Sequence, residues 1–177
     1  MPNINDVITG WRPSVTYPKF GITSGDNGRY YYSLRDNNLN NTPDSNLGTF
    51  WDGYMVINSK YVPDFFWQAS YTSVVQSNPR IAKVQFGNGY QKRIADGFNT
   101  NLLTFQLNFE ARKENEINSI IHFLQQMNGQ RSFIYNPPAV YGKTSNYNTR
   151  YICPNWEVSY NFYQNYTLRA TFEEVSA

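Results

Sequence analysis

From Leu103 to Arg112 apolar and polar positions alternate without a break, Leu103, Phe105, Leu107, Phe109 and Ala111 against Thr104, Gln106, Asn108, Glu110 and Arg112. A period of two predicts a strand with one buried face and one wet face. The pattern returns in Trp156, Val158, Tyr160 and Phe162 against Glu157, Ser159 and Asn161, and again in Leu168, Ala170 and Phe172 against Thr167, Arg169, Thr171 and Glu173. Val84 and Phe86 oppose Lys83 and Gln85 and lead into Gly87-Asn88-Gly89, which predicts a tight hairpin. Between these strands the period changes. In KENEINSIIHFLQQMNG, residues 113–129, Ile117, Ile120, Ile121, Leu124 and Met127 recur at helical spacing and form one apolar stripe. Glu114 and Glu116 fall in the first turn, where the helix dipole favours anions, and Gly129 is the expected stop. Asn136 to Asn148, with two prolines and polar residues, reads as a loop. The element order is therefore hairpin, long strand, helix, short strand, long loop, hairpin. One helix then covers one face or opening of a β-sandwich.

The first third of the chain has a different texture, rich in Asn, Asp, Gly and Tyr and without helical period. The expected organisation is a small β module over residues 1–60 and a main domain over 61–177. Charged residues make up only 16% and aromatic residues reach 18%, so a core must be built largely from rings. The net charge of +2 argues against a dedicated nucleic-acid binder, which needs a basic patch. A single Cys closes no internal disulfide. The start carries no signal-peptide pattern, and no apolar run is long enough to span a bilayer. The expectation is a chain made in a cytoplasm, with no membrane insertion.

Catalytic chemistry finds little support in the residues. His122 is the single histidine, and by helical angle it sides with Asn118, Gln125 and Gln126, which predicts an exposed position. Cys153 lacks the further Cys or His ligands of a metal site and a base to activate it, so it reads as a half-buried thiol beside Trp156. Glu114 and Glu116 do not face each other on a helix, and Glu173 and Glu174 point to opposite faces of a strand. No glycine-rich loop with Lys leads into a helix, so phosphate binding has no support. Neither catalytic residues nor a metal or other cofactor is expected, and a binding or structural protein is favoured over an enzyme; a small hydrolase is the least supported rival.

Several phrases in order carry a family resemblance. They are Phe86-Gly87-Asn88-Gly89-Tyr90-Gln91-Lys92-Arg93, a charged helix ending at Gly129, Phe133 to Pro138, Cys153 to Trp156, and Phe172 to Val175. Together they resemble the minor tail protein M family of long, non-contractile-tailed bacteriophages of the lambda type, over residues of about 65 to 177. Asn88 stands where the family usually has Asp, and the loop after Pro138 is longer than expected. The resemblance implies a tail-tube-like β-sandwich with a flanking helix and an extended hairpin. It implies a virion protein, assembled in the host cytoplasm, whose copies form a ring at the tail tip between tube and hub. Six-fold symmetry is favoured and three-fold is the alternative, with DNA only as cargo passing through the lumen. Gly87, Asn88, Gly89, Tyr90, Lys92 and Arg93 would then form an assembly arm laid on a neighbouring subunit, the competing reading being a hairpin paired only within its own sheet.

The stretch from Trp11 to Tyr54 is similar to small carbohydrate-binding modules found beside chitinases and cellulases. Tyr17, Gly21, Gly28 to Ser33, Asn37 to Asn41, Pro43 and Trp51 carry that likeness. It implies a platform for sugar rings drawn from Trp11, Tyr30, Tyr32, Trp51 and Tyr54, and hence an alternative role as a host-surface saccharide-binding adhesin. The competing reading makes the same rings the core of a module that has little else to bury.

Overall fold

The protein is described by a computed structural model covering residues 8–27, 29–56, 62–97, 101–137 and 149–175, without the side chains at 54–56. Its main sheet has six strands in the order β6-β11-β12-β13-β10-β7. These are β6 (Asp64–Phe65), β7 (Val74–Ser77), β10 (Leu103–Arg112), β11 (Phe133–Tyr135), β12 (Arg150–Phe162) and β13 (Asn165–Val175). All neighbours pair antiparallel except β6 and β11, where Tyr135 lies opposite Phe65 in a parallel pair. The helix α1 (Glu114–Met127) packs on one face. The expected mainly-β fold with one flanking helix is present, and most of the core lies between one curled sheet and its helix.

Three bulges explain the curl and correct the plain alternation. In β12 the register slips between Ile152 and Asn155, so Cys153 and Trp156, three residues apart, both reach the core side. Pro154 sits in that bulge, where its missing N–H is tolerated. In β10 a second slip lies between Phe109 and Arg112. Ala111, expected on the buried face, is instead exposed at φ 54°, and Arg112 turns inward to an ion pair with Glu116 at 2.8 Å. A third slip lies between Tyr160 and Phe162, and the buried stripe of β12 has already ended there: Trp156 and Val158 are half-buried, but Tyr160 and Phe162 are exposed. A bulge adds one residue to one strand and sharpens the local twist, which bends a sheet around its core.

The core is aromatic. Phe65 lies in edge or tilted contact with Trp67, Phe109, Phe123, Phe133, Tyr135 and Phe172, with ring centroids 5.0 to 5.9 Å apart. These are the separations at which ring edges meet ring faces favourably. On α1 the buried set is Ile117, Ser119, Ile120, His122, Phe123, Leu124 and Met127, an arc wider than the predicted stripe. Asn128 at φ 48° and Gly129 at φ 66° end the helix with two left-handed residues, close to the expected stop.

The widened arc has a cause. A second, three-stranded sheet in the order β2-β3-β5, from β2 (Ile22–Ser24), β3 (Arg29–Ser33) and β5 (Trp51–Val56), packs against the outer side of α1. Ser119 Oγ donates to the carbonyl of Phe20 at 2.7 Å, and the Tyr30 ring meets the His122 ring at 4.5 Å. Tyr32 stacks on Phe66 at 4.2 Å. His122 is therefore fully buried rather than exposed. The other face of β3 closes a small cluster of Tyr17, Tyr31 and Trp51. A short pair, β1 (Thr16–Tyr17) with β4 (Asn38–Leu39), completes this module. Most of the loop expected at Asn136–Asn148 lies outside the described residues.

The helix orientation separates two neighbouring isoleucines. Ile120 is wholly buried and Ile121 only half-buried. Ile120→Asp should abolish cooperative unfolding in urea, because it places an unpaired charge in the core. Ile121→Asp should leave a folded domain weakened by about 1–2 kcal/mol. Equal losses at both positions would show that the helix is rolled relative to this structure.

Candidate assembly surface

Ser77 pairs with Leu103 at the margin of the main sheet, and the chain between them leaves it. It forms a two-stranded ribbon of β8 (Ile81–Gln85) and β9 (Gln91–Ala95), paired from Ile81↔Ala95 to Gln85↔Gln91. Every residue from Gln76 to Gly97 is exposed. The turn is a three-residue loop, Gly87-Asn88-Gly89, in which Gly89 N donates to Phe86 O at 3.1 Å and Phe86 N to Tyr90 O at 2.9 Å. The left-handed conformation falls on Gly89, at φ 82°, and not on Asn88, whose side chain instead accepts from Tyr90 N at 3.4 Å.

The register sorts the ribbon into two unlike faces, because directly opposed residues share a face. Ala82 and Ile94, Val84 and Lys92, and Phe86 and Tyr90 form one, which is apolar apart from Lys92. Ile81 and Ala95, Lys83 and Arg93, and Gln85 and Gln91 form the other. Opposing Lys83 to Arg93 is unfavourable within the hairpin. An isolated two-stranded hairpin is itself marginal in water. The assembly residues expected from sequence, Gly87, Asn88, Gly89, Tyr90, Lys92 and Arg93, are thus brought together on one protruding ribbon, with Lys92 and Arg93 on opposite faces.

Sequence reasoning missed a second exposed apolar surface. Beyond the core the β12–β13 hairpin carries Tyr160, Phe162 and Tyr163, 63%, 64% and 79% exposed. Tyr160 leans on Tyr166 at 5.1 Å. Gln164, at the turn, donates through Nε2 to Glu114 Oε2 at 3.1 Å, which sets the first residue of α1 beside this tip. Alternation placed Tyr160 and Phe162 in the core. The signal overlooked is that this strand of 13 residues outruns the sheet that covers it.

Among the described residues the outer face of the main sheet is largely exposed and mostly polar. A shallow cleft of about 470 Å³ crosses it, lined by Gln106, Asn108, Asn155, Glu157, Arg169 and Thr171 among others. Glu157 and Arg169 form an exposed ion pair at 3.3 Å.

The proposed sugar platform is not an exposed plane. Trp51 is wholly buried, with Nε1 donating to the carbonyl of Asn41 at 2.7 Å, and Tyr32 is buried against Phe66 with its hydroxyl donating to Asp52. Tyr30 faces α1, Trp11 packs beside the small cluster, and the Tyr54 side chain is outside those described. The core reading of these rings holds for Trp51 and Tyr32. The physical reason is size, since a module this small has few other groups with which to exclude water.

The two groups weighed for chemistry are both buried and uncharged. Burial pushes the Cys153 thiol up to about 12, against an opposing hydrogen bond with the backbone of Asn155. Burial also lowers His122 from its ordinary 6.5 to about 4. Among the described residues no group of three His, Cys, Asp or Glu side chains is placed to hold a metal ion, and no helix is long and apolar enough to cross a membrane.

A curled, mainly-β sheet with one flanking helix and a projecting ribbon defines the fold class. The sequence comparisons give that class its family. Residues 63–176 match the phage minor tail protein model, and the chain belongs to that family. A stretch of 74 residues is 35% identical to Tail tip protein M of Escherichia phage lambda, spanning 42% of this chain and 67% of that protein. The module ahead of residue 63 lies outside the family match. The chain is a structural component of a phage tail.

Two outcomes follow from this packing. Trp51→Ala should destabilise the N-terminal module by about 3–5 kcal/mol, read as an early unfolding step in urea. An unchanged melt would place Trp51 outside the core. The second concerns pH. Because His122 is harder to protonate when folded, the unfolded chain binds the extra proton between pH 6.5 and about 4. Its contribution is fully present above 6.5 and falls away towards about 4, a loss on the order of 3 kcal/mol. The difference between wild-type and His122→Phe stability curves should therefore change across that window and be flat above it. A flat difference throughout would mean that His122 is solvated.

Proposed function

We propose that this chain is a ring-forming subunit at the tip of a long, non-contractile phage tail, joining the tail tube to the hub and tip proteins. The observation that carries the reading is the ribbon, with every residue from Gln76 to Gly97 exposed and one face apolar. A free monomer gains nothing from holding Val84, Phe86, Tyr90 and Ile94 in water, whereas an assembly buries them. The similarity to Tail tip protein M supports the position at the tip. The polar outer face of the sheet suits the wall of a lumen through which DNA passes as cargo, since mixed charge at low density offers no grip on phosphates. Six-fold symmetry, continuing a hexameric tube, is favoured over three-fold. The subunit performs no chemistry in this reading, and assembly takes place in the host cytoplasm.

Replacing residues 81–95 by a short Gly-Ser linker tests this reading. The variant should fold with an unchanged main unfolding transition, because the ribbon is outside the core, yet fail to complement a phage lacking the wild-type gene. Electron microscopy of the lysate should show incomplete tails. Complete, infectious tails built with the shortened chain would overturn the assignment.

A further inference from the structure

The ribbon and the aromatic tip lie at opposite ends of the same sheet. The ribbon leaves where Leu103 pairs with Ser77, and the tip lies where Arg112 pairs with Tyr166. The ten residues of β10 separate them, a span of roughly 33 Å at about 3.3 Å per residue. Each strand of the ribbon is five residues long, roughly 17 Å by the same rise, so the ribbon does not reach the tip of its own chain.

The two surfaces are complementary. The ribbon face offers Val84, Phe86, Tyr90 and Ile94 around Lys92, and the tip offers Tyr160, Phe162 and Tyr163 beside Glu114. One therefore carries a cation within an apolar field and the other an anion at the edge of an aromatic one. An aromatic side chain buries about 150–250 Å² when covered, so three rings supply a substantial part of the roughly 800 Å² per partner of a stable contact. Two different patches at opposite ends of one chain generate a heterologous contact, which propagates head to tail and closes when its rotation divides the circle.

We infer that the apolar face of the ribbon of one copy seats on the Tyr160–Phe162–Tyr163 tip of a second copy, with Lys92 directed at the partner copy's acidic residue corresponding to Glu114. This rests on the assembly role of the ribbon proposed above and assigns the surface that receives it. The opposite face, with Lys83 beside Arg93, remains outward.

The test uses two full-length variants. One carries Val84→Ser, Phe86→Ser and Tyr90→Ser, and the other carries Tyr160→Ser, Phe162→Ser and Tyr163→Ser. All six side chains are exposed, so circular dichroism and thermal melts should match wild type. In sedimentation velocity wild type should associate with rising concentration, and each variant alone should associate at least tenfold more weakly. Mixed together, the two variants should form a one-to-one complex, because the mixture restores one intact ribbon and one intact tip. Lys92→Glu should weaken association, and adding Glu114→Lys should recover it. If only the ribbon variant loses association, the ribbon seats elsewhere; this inference then fails while the assembly role stands. A wild-type chain that stays monomeric, or a mixture that forms no complex, also overturns the inference. The assembly role itself is judged separately by complementation with the shortened ribbon.

Discussion

The burial of Phe65 among aromatic rings is the interaction on which the remaining structure depends. It comes from a two-residue strand at the sheet margin, yet it meets rings from β10, α1, β11 and β13. Edge-to-face packing gives each contact a direction as well as an area. The ring therefore fixes where the strand, the helix and the sheet sit relative to one another. With the dry face of the sheet committed to this cluster, its other face is mostly polar and, among the described residues, largely exposed. Two clusters of exposed apolar side chains stand at extremities of the sheet, the ribbon and the tip of β12–β13. A fold with one crowded core and apolar side chains at its extremities is suited to contacts with other tail proteins.

The N-terminal module lies outside the family match but not outside the core. Tyr32 belongs to the same buried cluster as Phe65, and Phe20, Ile22, Tyr30 and Leu34 pack against it. This divides the Arg29–Ser33 strand between two duties. Tyr30 and Tyr32 face the helix, and Tyr31 faces the small cluster with Trp51. The module thus covers polar helix positions as well as apolar ones, including Ser119 and His122. Ser119 finds a carbonyl on the module, and His122 remains neutral. That arrangement ties the module to the domain as a fixed second layer.

Much of the architecture was legible from the spacing of residues. The period-two runs of β10 and β13 and the helix from Glu114 follow the pattern closely, because a half-buried strand and an amphipathic helix each impose their own repeat. The ribbon turn was legible because glycine supplies the left-handed residue that a three-residue loop requires. The bulges were not. Cys153 and Trp156 stand three apart, which no regular strand places on one face, and Ala111 follows an unbroken alternation yet points outward. Each slip depends on how a strand meets its partner, and that partner is distant in sequence.

What the sequence determined alone was local: which segments are extended, where the helix runs, and where the ribbon turns. Those features follow from backbone sterics and from the repeat of side chains along one element. The tertiary structure decided which faces are covered. Only the docking of a second sheet on α1 buries His122, and only the limited reach of neighbouring strands exposes Tyr160 and Phe162. Burial is a property of what lies opposite a residue, and the residues opposite these are far away along the chain.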